Sequence, residues 1–150
     1  MVDWKLARFK GLDNMVLYKI IQLRMEVFVV EQTCYYQDLD DKDEGSFHLM
    51  GWDRDQLIAY SRLLPRGLSY PNAASIGRVV THPDHRGMGL GKELMELSIK
   101  YCQEKWPDDP VKISAQTYLK KFYEGFGFEQ CGEGYLEDGI PHIPMIRNPR

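Results

Sequence analysis

The chain is poor in cysteine. Its three cysteines, Cys34, Cys102 and Cys131, are odd in number and far apart, with no Cys-x-x-Cys pair. That leaves reduced, mostly buried thiols of a cytoplasmic protein as the expectation. Long apolar runs are also missing. Stretches such as Val27-Phe28-Val29-Val30 fall far short of the ~20 residues that a membrane span requires. Met1-Val2-Asp3-Trp4-Lys5 lacks the basic-then-apolar pattern of an export signal, so neither export nor membrane association is expected. There is no basic excess: 19 Lys and Arg against 22 Asp and Glu give a net charge of −3, which argues against nucleic acid as the partner. No repeat, low-complexity stretch or linker divides the sequence. A composition of 43% hydrophobic and 27% charged residues is that of an ordinary globular protein. At 150 residues one domain over 1–150 is expected, long enough to bury roughly 68–70% of its unfolded surface without a staple.

What is present is a regular alternation of patterns. Residues 3–10 predict a strand. Asp13 is a candidate N-cap for a helix over 13–30, with Val16, Ile20, Leu23 and Val27 on one face. Residues 31–46 break the pattern and form a long loop. Strands are predicted at 46–53 and 56–64 around a short turn, then at 74–81. Gly89 to Lys105 has strong helical spacing through Leu90, Leu94, Leu97 and Tyr101. A short strand, Val111 to Ala115, a short helix, Thr117 to Glu124, and two closing strands complete the chain. This order implies a mixed sheet covered by helices, in the α/β (α+β) class.

The most informative segment runs from Ile76 to Lys92. A strand enters a turn, and three alternate glycines, Gly87, Gly89 and Gly91, open the long helix. Glycine permits positive φ and close backbone approach, and a helix start offers unpaired amides and the positive end of its dipole. Together they suit a diphosphate, with Arg86 and Lys92 adding charge. A Walker A loop does not fit, because Arg86 stands where its first glycine belongs and Glu93 where its hydroxyl belongs. The dinucleotide pattern G-x-G-x-x-G fails as well, placing Lys92 or Leu94 at its third glycine.

Arg86-Gly87-Met88-Gly89-Leu90-Gly91 fits the rule Arg/Gln-x-x-Gly-x-Gly/Ala, and here the chain resembles the GCN5-related N-acetyltransferases (GNAT). Phe122-Tyr123-Glu124-Gly125-Phe126-Gly127-Phe128 resembles the later motif of that family. Arg24 to Gln32, Cys34, Tyr36-Gln37-Asp38, Asp40, His48 and Glu137 to Met145 resemble its ElaA-like branch, which usually has proline where Tyr35 stands. The resemblance implies a mixed, mostly antiparallel central sheet of about six to seven strands, flanked by about four helices. It implies transfer of an acetyl group from acetyl-coenzyme A to a primary amine of a small molecule or peptide, by direct attack in a ternary complex. Acetyl-coenzyme A would then be held by Val79, Val80 and Thr81, by Arg86, Gly87, Met88, Gly89, Leu90, Gly91 and Lys92, and by Gln116, Phe122 and Tyr123. Gln116 stands where the family often has asparagine.

In that scheme Tyr123 is the acid for the departing thiolate and the Val80 amide a candidate oxyanion donor. The attacking amine must lose a proton from an ordinary pKa of ~10.4. The strand Ser75-Ile76-Gly77-Arg78 lacks the carboxylate that many family members carry there. Glu31 is the preferred base or water relay, with an ion pair to an arginine such as Arg78 as its structural reading, and His142 and His48 are alternatives. The acceptor side is expected to include Glu31, Tyr36, Gln37, Asp38, His48 and Arg78. The acidic run Asp38 to Glu44 can be read as a solvated loop or as a negative mouth for a cationic amine. It is a poor calcium loop, because Lys42 falls at a ligand position. His82-Pro83-Asp84-His85 has no further metal ligands at useful spacing, and no base neighbours Cys34 in sequence. A non-catalytic acyl-coenzyme A-binding module is the rival reading, and either a monomer or a homodimer is compatible.

Overall fold

A computed structural model describes residues 1–150. Strand β1 is Asp3–Arg8, and helix α1 is Asn14–Arg24. Asp13 caps α1 as its position predicts, accepting from the Val16 amide at 2.8 Å. The helix then widens into a π-helical segment, Met25–Glu31, so the helical reading of 13–30 holds in extent but not in type. Strands β2 (Phe47–Asp53), β3 (Gln56–Leu64) and β4 (Ala74–Thr81) follow. Helix α2 is Leu90–Lys105, β5 is Val111–Gln116, and α3 is Lys120–Glu124 after a 3-10 turn at Thr117–Leu119. The closing residues form three strands rather than two: β6 (Glu129–Gln130), β7 (Tyr135–Glu137) and β8 (Ile140–Arg147). Gly132, Gly134 and exposed polar residues separate β6 from β7, and each pairs its own stretch of β8.

The eight strands make one sheet in the order β1-β2-β3-β4-β5-β8-β6, with β7 also on β8. All neighbours are antiparallel except β4 and β5, which are parallel and joined through α2. A parallel neighbour needs a long crossover, and α2 provides it. Successive strand residues point to opposite faces. Leu49 therefore packs with Leu90 and Leu94 of α2, while Met50 packs with Ile20 and Leu23 of α1. The two helices thus cover opposite faces of the sheet. Beyond β4 the core continues through Ile76, Met95, Val111, Ile113, Phe128 and Met145. No helix is long and apolar enough to cross a membrane. All three cysteines are free; Cys102 is buried, Cys34 is half-buried, and Cys131 is exposed, contrary to the expectation of mostly buried thiols.

Candidate active site

Strands β4 and β5 share only two registered pairs, Ala74 with Val111 and Ser75 with Lys112. Past Ser75 they part, and a cleft of about 890 Å³ opens between them. The departure coincides with a β-bulge. Tyr60 pairs with Val80, but Arg62 pairs with Gly77, so Arg78 and Val79 together face Ser61. Arg78 adopts φ +52°, a left-handed conformation costly for a side chain with a Cβ. An inserted residue of this kind bends and re-aims a strand beside a site.

Backbone groups along a strand face alternate neighbours. The His82 amide donates to the Ile58 carbonyl at 2.7 Å, so Val80, two residues earlier and opposite Tyr60, turns its amide toward β3 as well. That corrects the expectation for the Val80 amide, which belongs to the β3 ladder. Val79 and Thr81 alternate toward the cleft side, and the Thr81 carbonyl accepts from the Arg86 guanidinium at 3.3 Å.

The turn after β4 keeps its donors free. None of the backbone amides from Arg86 to Lys92 donates to another group of the protein; the first bond of α2 runs from the Glu93 amide to the Gly89 carbonyl at 3.1 Å. Gly87 (φ +85°) and Gly89 (φ +77°) are left-handed, and no neighbour lies within 4 Å of a Cβ added at either. Glycine is needed there for conformation, not for space. Met88 and Lys92 are exposed, whereas Leu90 is buried against β3.

Tyr123, on α3, is 8% exposed and lines the cleft. Its hydroxyl makes no hydrogen bond within the protein, yet it is not among the fully enclosed polar atoms without a partner. It therefore opens onto the cleft. Burial pushes its pKa up to about 12, so it stays protonated at neutral pH. Phe122 packs edge-on against Tyr123 and Phe126, 4.0 Å from a Cβ added at Gly91, which places it behind the glycine turn. Gln116 lines the cleft at the end of β5, in register with His142.

Glu31 ends the π-helical segment at the cleft and receives both terminal nitrogens of Arg86, at 2.8 and 2.7 Å. The partner differs from the expected Arg78. The hydrogen bonding from Arg86, helped by its charge, outweighs burial and holds the Glu31 carboxyl below its ordinary range, which weakens it as a base.

Three of the five acids in the run are neutralised by the protein rather than offered at a negative mouth. Asp38, Asp40 and Asp43 turn inward to three arginines. Asp38 accepts from Arg24 and Arg78, each at 2.8 Å; Asp40 accepts from Arg62; Asp43 bridges Arg24 at 2.7 Å and Arg62 at 3.1 Å. Asp38 is 3% exposed and lies behind the cleft wall rather than at it. The same holds for His48, which is fully buried. Its Nε2 donates to the Asp43 carbonyl at 2.9 Å, so its Nδ1 accepts from the Tyr60 hydroxyl at 2.6 Å. With burial pushing its pKa down and both nitrogens occupied, His48 serves the fold and is not available as a base. Tyr36, Gln37 and Arg78 do line the cleft, and the Tyr36 hydroxyl donates to Asp38 at 3.0 Å.

His142, 7% exposed, also reaches the cleft from β8. Its Nε2 is 3.4 Å from Glu137 on β7, and its ring is stacked on Tyr135. Sequence reasoning assigned no role to Glu137, Ser114 or Tyr135. A signal existed: Asp138-Gly139 between apolar-polar alternations marks a tight hairpin, and a hairpin there sets Tyr135 directly opposite His142. No cluster of metal ligands is present.

Comparison with known proteins agrees with this geometry. Residues 16–148 match the family described as "Acetyltransferase (GNAT) domain". The chain is 42% identical to Protein ElaA of Escherichia coli K12 over 149 residues, covering 98% of this chain and 97% of ElaA. The crystal structure of Escherichia coli ElaA superposes with a TM-score of 0.93 at 41% identity, covering 99% of this chain and all of that one. That of an acyl-CoA N-acyltransferase from Pseudomonas aeruginosa gives 0.91 at 44% identity, covering 97% and 99%. Its parted central strands, its glycine turn of free amides and these full-length likenesses identify the chain as a member of the GNAT acetyltransferase family, in the ElaA-like branch.

Proposed function

We propose that this protein is an N-acetyltransferase, a single domain over residues 1–150, that moves an acetyl group from acetyl-coenzyme A to a primary amine by direct attack in one ternary complex. The observation that carries this reading is the row of unclaimed amides from Arg86 to Lys92, which begins at the edge of a cleft lined by Arg86 and Tyr123 and into which the unpaired Tyr123 hydroxyl opens. These residues fit a diphosphate: the amides are free, two left-handed glycines turn them, and Arg86 and Lys92 add positive charge. Acetyl-coenzyme A, when bound, supplies the activated acyl group.

The remaining roles belong to the chain. The backbone of Val79 and Thr81 and the side chains of Gln116 and Phe122 line or support the path from the glycine turn toward Tyr123. The Val79 amide, rather than that of Val80, is the donor for negative charge developing on the acyl oxygen, where such a donor is worth ~2.7–4 kcal/mol. The Tyr123 hydroxyl, kept protonated by burial, donates to the departing sulfur. His142 takes the proton of the acceptor amine, because the Glu31 carboxylate is engaged by Arg86. Tyr36, Gln37 and Arg78 border the acceptor side.

Incubation with acetyl-coenzyme A and a broad panel of amines, read as release of free thiol, tests the proposal. Turnover on at least one primary amine is expected. Tyr123→Phe should lower kcat by ~10²-fold or more, with little change in melting temperature because the hydroxyl holds nothing together. Coenzyme A binding without turnover on any amine would point to the non-catalytic module instead.

A further inference from the structure

The β7–β8 hairpin brings a carboxylate and a histidine ring together at the cleft. His142 Nδ1 lies 2.7 Å from the Ile140 carbonyl oxygen. A carbonyl only accepts, so Nδ1 carries the proton and Nε2 of the neutral ring is a bare lone pair. That lone pair faces Glu137 Oε2 at 3.4 Å. The other Glu137 oxygen accepts from Ser114 Oγ at 3.3 Å, and the Ser114 hydroxyl is itself hydrogen-bonded to that of Tyr135. Tyr135 in turn stacks on the His142 ring, with centroids 6.2 Å apart and planes 18° from parallel. Glu137 is thus tethered on one side and aims its second oxygen at Nε2, which in the neutral ring has no hydrogen to give.

Two acceptors set face to face repel until a donor joins them. A primary ammonium ion has three N–H donors and can satisfy both while keeping one for the cleft; a neutral alcohol has one. We infer that Glu137, held by Ser114 and Tyr135, receives the acceptor as a primary ammonium ion and aligns His142 Nε2 to take its proton. This rests on the transferase reading above. One N–H bond breaks, its electron pair stays on the substrate nitrogen as the attacking lone pair, and the proton bonds to Nε2. The imidazolium so formed lies against the Glu137 carboxylate and later returns the proton to solvent. Of the other charged and titratable groups that line the cleft, Glu31 pairs with Arg86 and Arg78 with Asp38 and Asp40, while Lys42 makes no ion pair and Tyr70 lies within electrostatic reach of Glu137 and Tyr135. Gln116, in register with His142 on β5, is neutral, and Asp138 on the hairpin turn is the one further carboxylate among the cleft-lining residues of this hairpin.

The test reads His142 directly. Titration of its ring by NMR, assigned with His142→Gln, needs no acceptor. In Glu137→Gln the midpoint should fall, and Glu137→Asp should restore part of the change. A midpoint indifferent to Glu137 would overturn the inference. On any amine turned over, Glu137→Gln should raise KM for that amine about tenfold and move the acidic limb of kcat/KM to lower pH. An equal loss at every pH, with KM unchanged, would reduce Glu137 to a structural role and also overturn it. Failure of the transferase reading shows separately, as wild-type protein that releases no thiol while Glu137→Gln still moves the His142 midpoint.

Discussion

Arg86 is a residue with two claims on it. It stands at the start of the glycine turn, yet its guanidinium is neutralised by Glu31 across the cleft mouth. A diphosphate arriving at the turn must share Arg86 with that carboxylate or displace it. Glu31→Gln should therefore tighten coenzyme A binding by about 2–5-fold, the range of a half-exposed ion pair. It should also steepen the loss of affinity with salt, as isothermal calorimetry at two ionic strengths would read. Weaker binding in the variant would mean instead that Glu31 holds Arg86 in its working position. At this scale the sequence was informative where a residue acts through its neighbours in the chain. The left-handed glycines of the Arg86 to Gly91 turn and the place of Tyr123 on a short helix were legible because neighbouring residues set them. Asp38 and His48 were misjudged because their partners, Arg24, Arg78, Tyr60 and the Asp43 carbonyl, come from distant positions that no spacing rule brings together.

Among the elements, the start of α2 is the one whose form is set by conformation alone. Gly89 precedes its first turn at φ +77° with open space around it. Gly89→Ala should cost ~1–2 kcal/mol for the left-handed backbone, lowering the melting temperature by roughly 2–8 °C in a chain of this size. Coenzyme A affinity should fall with it as the amides lose their direction. A thermal scan with and without coenzyme A separates the two effects. Element positions were largely readable because apolar periodicity sets them: 56–64 and 74–81 were predicted at the bounds observed for β3 and β4. The π-helical widening after Arg24 and the Arg78 bulge were not readable. Both insert one residue into a regular pattern without altering which side chains are apolar, and a bulge at a non-glycine residue leaves no composition signal.

Across the whole molecule, three arginines and three aspartates form a partly buried charge network that ties α1, the long loop, β3 and β4 together. Burial alone would raise the Asp40 and Asp43 carboxyls. The hydrogen bonds and charges of Arg62 and Arg24 outweigh it and hold both below the ordinary range. A carboxyl depressed in the folded state stabilises fully above its unfolded value of ~3.9, and that contribution disappears as pH falls through the folded value. Chemical denaturation should therefore show stability flat near neutrality and declining below about pH 4. Arg24→Met, which leaves the buried Asp38 with Arg78 and Tyr36 and Asp43 with Arg62 alone, should cost ~1–3 kcal/mol and reduce that acid dependence, since Asp43 loses one of its two cations. An acid profile unaltered by the variant would contradict the assignment.

The two halves of the sheet meet at Ala74–Val111 and Ser75–Lys112 and nowhere farther along β4 and β5. They resemble the arms of a pair of tweezers joined at one end. A rotation of a few degrees at that joint changes the gap at the tips while breaking few rungs, and each arm keeps its own antiparallel pairings intact. The width of the cleft is thus set by the angle at one joint, and the apolar cluster shared by Ile76 on one arm and Ile113 and Met145 on the other holds that angle.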